Sequence, residues 1–190
     1  MELRILKRVS LCFLLVGFCL NSHSQRQTLV GLNINGEIYP DEFRPGIGVV
    51  LERQFTKHSG LESGLFYRTQ LSTGIITYTD ASGSHASSFT VAQRHVNLSV
   101  LYEYYSHLVN VSAGPAFDFY LGWKQKEDEF PFPMKSYDVS PKIKVGFLTK
   151  VSKVCPLSKQ FVLEPEIRFG SVHTLDEAGI GIGLAGKYRF

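Results

Sequence analysis

The sequence predicts an all-β chain, an eight-stranded antiparallel transmembrane up-and-down β-barrel. Three observations predict it. Apolar and polar residues alternate with period two along most of the 190 residues, which is the signature of strands rather than helices. One alternating face is apolar and aromatic, while the other is small, polar or charged. A secretion signal precedes the whole pattern.

That signal comes first in the chain. Arg4, Lys7 and Arg8 are followed by the apolar run Val9–Leu20 and by the small residues Ser22 and Ser24. Residues 1–24 read as a signal peptide cleaved before Gln25, and 25–190 as the barrel domain. The apolar run is too short for a membrane anchor, which needs about 20 residues. Losing three bases and one acid lowers the net charge from +3 to +1. That balance supports no nucleic-acid partner. Cys12 and Cys19 leave with the signal, so Cys155 is alone and has no partner for a disulfide, redox or zinc site. No run in the remaining chain is long enough for a membrane helix, but spanning strands need only ~9–11 residues with alternate apolar positions.

The strands follow in order. Gln27–Tyr39 turns Val30, Leu32, Ile34 and Ile38 outward. A turn at Tyr39–Glu42 leads to Pro45–Phe55, with Ile47, Val49, Leu51 and Phe55 outward. Gly60–Leu71 follows, with Leu61, Leu65, Tyr67 and Leu71 outward and Phe66 inward. Residues 73–88 start as a possible strand extension and end in a flexible tip at Asp80–Ser84.

The central hairpin is the clearest element. Val96, Leu98, Val100, Tyr102 and Tyr104 share one face before a break at Ser106-His107. Beyond the break, Val109, Val111, Ala113, Phe117, Phe119, Leu121 and Trp123 share the corresponding face. Lys124–Tyr137 carries a charge run and two prolines, so it is no central strand. Asp138–Val151, Gln160–Ser171 and Gly179–Phe190 complete the eight. Long connections at 73–89 and 125–137 lie opposite the shorter turns, the asymmetry expected of an outer-membrane barrel. Phe43, Trp123 and Phe169 are candidates for one aromatic girdle. Phe55, Tyr104, Phe161, Tyr188 and Phe190 are candidates for the other.

Strict alternation turns seven acids inward: Glu37, Glu52, Glu62, Glu103, Asp118, Glu164 and Glu166. Seven bases join them: Arg68, Lys142, Lys144, Lys150, Arg168, Lys187 and Arg189. An eight-stranded barrel has room inside only for side chains. Charges enclosed there must pair, so a plugged, salt-bridged lumen is expected rather than a pore.

The closing segment AGIGIGLAGKYRF, ending on Phe190, resembles the C-terminal signature recognised by the barrel assembly machinery. The hairpin VLYEYYSHLVNVSAGPAFDFYLG and the segment FVLEPEIRFG are similar to those of small PorT-like, porin-family outer-membrane barrel proteins. The resemblance implies a location in the bacterial outer membrane, contact with its lipid and insertion by that machinery. It implies no catalytic residues.

The expected function is non-enzymatic: structural, or partner-binding through external loops, as in a component of a secretion or envelope machinery. Phe130, Phe132 and Met134, set between prolines, are the candidate contact for an envelope protein partner. One alternative is a lipid-modifying enzyme using His95, His107 or His173, the last near Ser171 and Asp176. The His-x-Ser arrangement of lipid deacylases is absent, since Thr174 and Leu175 follow His173. The other alternative, a soluble lipocalin-like binder, needs an apolar interior. No cofactor is expected, and the histidines show no metal-ligand spacing.

Overall fold

The computed structural model describes residues 27–39, 42–80, 83–126, 141–172 and 178–190. Its strands are β1 (Thr28–Tyr39), β2 (Glu42–Gln54), β3 (Ser59–Asp80), β4 (Gly83–Tyr105), β5 (Asn110–Gln125), β6 (Ile143–Ser152), the short β7 (Cys155–Pro156), β8 (Phe161–Val172) and β9 (Ala178–Arg189). Each long strand pairs antiparallel with its neighbour, β1 pairs with β9, and β6 pairs with β8. The eight long strands thus close into a ring, with β7 a two-residue addition beside β8. Closure removes the unpaired edges of an open sheet, so the backbone polar groups of the wall are satisfied within the protein.

The two faces of the wall divide as a membrane demands. Leu32, Ile34, Ile47, Val145, Phe147 and Ile182 are exposed on the outside. Asn33, Glu52, Glu62, Asn97, Glu103 and Lys187 are buried on the inside. An apolar exterior around a charged interior is the reverse of a soluble lipocalin, whose outside meets water. Of the aromatics assigned to the girdles, Phe43, Phe169, Phe55, Tyr104, Phe161 and Phe190 are exposed. Tyr188 meets Phe161 and Phe190 edge-to-face, with ring centroids 5.1 and 4.9 Å apart.

Three departures from the expected strand map have local causes. First, β3 and β4 do not stop at the barrel rim. They stay paired from Leu71↔Ala92 out to Asp80↔Gly83, so most of the expected loop is a projecting hairpin. Its β-branched Thr73, Ile75, Ile76, Thr77 and Thr79 favour extended backbone. Second, β2 begins at Glu42 and contains Pro45. The β2–β3 ladder starts only at Gly46, so Pro45 has no β3 partner to which a missing N–H would matter. Third, the β4–β5 register shifts: Arg94 pairs with Gly122 but His95 pairs with Tyr120. Leu121 is the extra residue of a β-bulge, and Gly122 has φ of +151°, a value L side chains rarely adopt. Beyond the bulge Trp123 pairs with the buried Gln93, which puts it on the inner face and removes it from the expected girdle.

Candidate functional site

The inward residues of six strands converge on a chain of ion pairs through the lumen. Its centre is a closed ring of four. Glu62 on β3 lies 2.6 Å from Lys150 Nζ on β6 and 2.9 Å from Lys187 Nζ on β9. Glu164 on β8 lies 3.2 Å from Lys150 and 2.6 Å from Lys187. Each carboxylate is shared by both ammonium groups, and all four side chains are buried.

The chain extends both ways from this ring. Towards the end where β2 turns into β3, Lys187 also donates to Glu52 over 2.7 Å. The Tyr105 hydroxyl donates to another oxygen of Glu52, also over 2.7 Å. Towards the other end, Lys150 lies 3.5 Å from Glu166, and Glu166 lies 3.2 Å from Arg168 Nε. Arg168 reaches Glu37 at 3.4 Å, and Arg68 grips Glu37 with two hydrogen bonds of 2.9 Å. Two-point guanidinium–carboxylate contacts of this kind fix orientation as well as charge.

Phe66 fills the middle of the lumen at 1% exposure. Its ring lies 4.7 Å below the Arg168 guanidinium and 5.7 Å from that of Arg68. Glycine makes this packing possible. A Cβ on Gly48 or Gly64 would overlap the Phe66 ring. The sequence therefore pairs a large inward side chain with inward glycines on the same and the adjacent strand. A small apolar cluster of Leu101, Ala116 and Leu148 fills another part of the interior.

Near the opposite end from Glu52, Arg44, Arg68, Gln70, His95 and Asp118 line a small polar space. His95 Nδ1 lies 2.7 Å from Asp118 Oδ2, a contact at ion-pair distance that is not aligned as a hydrogen bond. Tyr120 packs edge-on against His95 at 5.5 Å. This histidine thus lies inside the lumen beside an acid, and His107 is exposed in the β4–β5 turn.

The residues expected in the lumen do not all gather there. Glu37, Glu52, Glu62, Arg68, Glu103, Asp118, Lys150, Glu164, Glu166, Arg168 and Lys187 are buried. Lys142 is a correction: it is exposed in a bend before β6, because β6 starts at Ile143 after the imino residue Pro141. Lys144, opposite Asp118, and Arg189 are only half-buried and make no ion pair among the described residues. Arg44 was missed because the second strand was expected to begin after it. It is 7% exposed and stacks 4.0 Å over the Tyr39 ring. Among the described residues, seven buried acids face five buried bases and His95, not seven bases.

Oxygens of Glu52, Glu62 and Glu103 lie within 4.8 Å of one another, the spacing of a cation site. Lys187 already contacts two of the three, so the chain supplies the positive charge itself. Phe130, Phe132, Met134, His173 and Asp176 lie outside the described residues, as does the segment 1–24.

The sequence matches no family model, and no curated protein matches it. In structure the chain is similar to the outer membrane protein OprG from Pseudomonas aeruginosa, at 8% identity over 89% of this chain and 98% of that one, with a TM-score of 0.51. It is also similar to Ail of Yersinia pestis, at 10% identity over 87% and 97% of the two chains with a TM-score of 0.44. The N-terminal β-barrel domain of Pseudomonas aeruginosa OprF matches at 13% identity over 87% and 100%, with a TM-score of 0.43. At such identities the likeness is one of fold. That fold, with its apolar exterior, is the fold of a β-barrel of the bacterial outer membrane.

Proposed function

We propose that this chain is an integral outer-membrane β-barrel with a plugged lumen, acting without catalysis as a structural or partner-binding protein. The observation that supports a plug is the closed ring of Glu62, Lys150, Glu164 and Lys187 beside the Phe66 ring. An ion that entered would have to break paired charges in a water-poor interior, and each broken pair exposes an uncompensated charge. In planar bilayers the purified protein is expected to conduct negligibly. A stable open channel of porin size would overturn the plug.

Activity then falls to the loops beyond the membrane. In this reading Phe130, Phe132 and Met134 anchor an envelope protein partner, within a secretion or envelope machinery of the PorT-like kind. Insertion proceeds through the barrel assembly machinery acting on the strand that ends at Phe190. Deleting residues 126–134 is expected to leave the heat-sensitive gel mobility of the barrel intact while abolishing partner pull-down. Loss of folding on deletion would refute the contact role.

A further inference from the structure

We propose that Arg94, Lys124 and Lys126 form a binding face for the phosphates of an anionic lipid headgroup around the loop-bearing end of the barrel. The inference rests on the membrane-barrel reading above.

Register places the three cations together on the outside. Arg94 pairs with Gly122, Lys124 pairs with Ala92, and the Lys126 amide donates to the Thr90 carbonyl over 3.0 Å. Residues opposite one another in an antiparallel pair share a face, and diagonal neighbours lie ~7–8 Å apart. Arg94 and Ala92 continue the outward series Val96, Leu98 and Val100, so Lys124 stands on the lipid side next to Arg94. Only the Leu121 bulge makes this so. Without it, strict alternation would turn Lys124 inward and Trp123 outward.

Height places them at the headgroups. Arg94 precedes Tyr104 by ten residues along β4. At ~3.4 Å per residue and a tilt of ~40°, that is ~25 Å along the barrel axis, the height of an outer-membrane barrel's apolar belt. Tyr104 marks one edge of the belt, and the cations stand at the other.

The cluster is local, and nothing among the described residues neutralises it. All three side chains are exposed, and none makes an ion pair among the described residues. At the same end the outward positions of other strands are uncharged: Phe43 on β2, Leu71 on β3, Phe169 on β8 and Ile180 on β9. Three clustered like charges repel one another, and a multiply charged phosphate headgroup relieves that repulsion.

The test is a titration of the full-length, detergent-folded barrel with bisphosphorylated lipid A in mixed micelles, without divalent cations. Binding is read by the fluorescence of Trp123, the only tryptophan, and by the temperature at which the unboiled gel band disappears. The wild type is expected to bind and to be stabilised, and added salt to weaken binding. Each of R94A, K124A and K126A is expected to weaken binding ~5-fold, and the triple variant on the order of 100-fold. K57A/K153A, at exposed lysines of the opposite end, is expected to bind as wild type. E127Q/D128N/E129Q, which neutralises the acids next in sequence, must retain binding. Dephosphorylated lipid A and inorganic phosphate are expected not to bind. Equal binding by a folded triple variant, or by dephosphorylated lipid, would overturn the inference alone. Absence of a folded, heat-sensitive band in the wild type would overturn the membrane-barrel reading and this inference with it.

Discussion

Arg168 holds its guanidinium 4.7 Å above the ring of Phe66, and both side chains are nearly devoid of solvent contact. The pair joins two different kinds of interior. Below the charge lies an aromatic face, and beside it lies the carboxylate of Glu37. A guanidinium suits this position because it can stack on a ring and pair with an acid at once.

Phe66→Ala would leave a void between Gly48, Gly64 and the two arginines. Destabilisation of ~3–5 kcal/mol is expected, as for truncation of other buried phenylalanines. The midpoint of urea unfolding, followed by the loss of the unboiled gel band, measures it. The same variant is expected to raise the otherwise negligible bilayer conductance.

Removing one ammonium is expected to cost more than removing a neutral partner. Lys187→Met leaves Glu52 with the Tyr105 hydroxyl but no countercharge, and leaves Glu62 and Glu164 with Lys150 alone. Breaking such a buried pair costs ~3–5 kcal/mol, while replacing both members with neutral groups is far milder. The Glu62→Gln/Lys187→Met double variant is therefore expected to unfold at a higher urea concentration than Lys187→Met. A double variant less stable than the single would show that the carboxylate is not stressed by loss of the lysine.

Two glycines separate close approach from mere flexibility. A methyl on Gly48 would overlap the Leu65 carbonyl oxygen and the Phe66 ring, whereas nothing lies within 4 Å of one on Gly186. Gly48→Ala is expected to reduce the yield of folded barrel sharply, and Gly186→Ala to leave it unchanged. Refolding into detergent, scored by the fraction of heat-sensitive band, distinguishes them.

Deleting Leu121 would erase the bulge and restore period two through the end of β5. Trp123 is then expected to move from the inner face to the outer, and its fluorescence to become sensitive to a lipid-borne quencher. Unchanged quenching would mean that the bulge does not decide the side.

Much of this architecture is legible from alternation alone. In β1, β8 and β9 most outward positions carry exposed apolar side chains, Leu32, Ile34, Ile167, Phe169, Ile180 and Ile182 among them, and Glu37, Glu164, Glu166, Arg168 and Lys187 between them are buried as the pattern requires. Inside β5 the pattern failed because alternation has no memory of an inserted residue. A single extra residue at Leu121 reversed the side of Trp123 and carried Lys124 outward. At β2 and β6 the difference lies in the boundary: β2 starts at Glu42 and so includes Arg44, while β6 starts at Ile143 and leaves Lys142 in an exposed bend.

The sequence by itself determined the class: eight strands with an apolar exterior and a charged interior. These follow from period two, because each side chain must face either lipid or lumen. Only the tertiary structure decided which charges meet. Glu62, Lys150, Glu164 and Lys187 come from four strands, and their ring exists because barrel closure and register bring those positions to one level. No local pattern encodes that level, since it depends on the relative stagger of all eight strands around the closed wall.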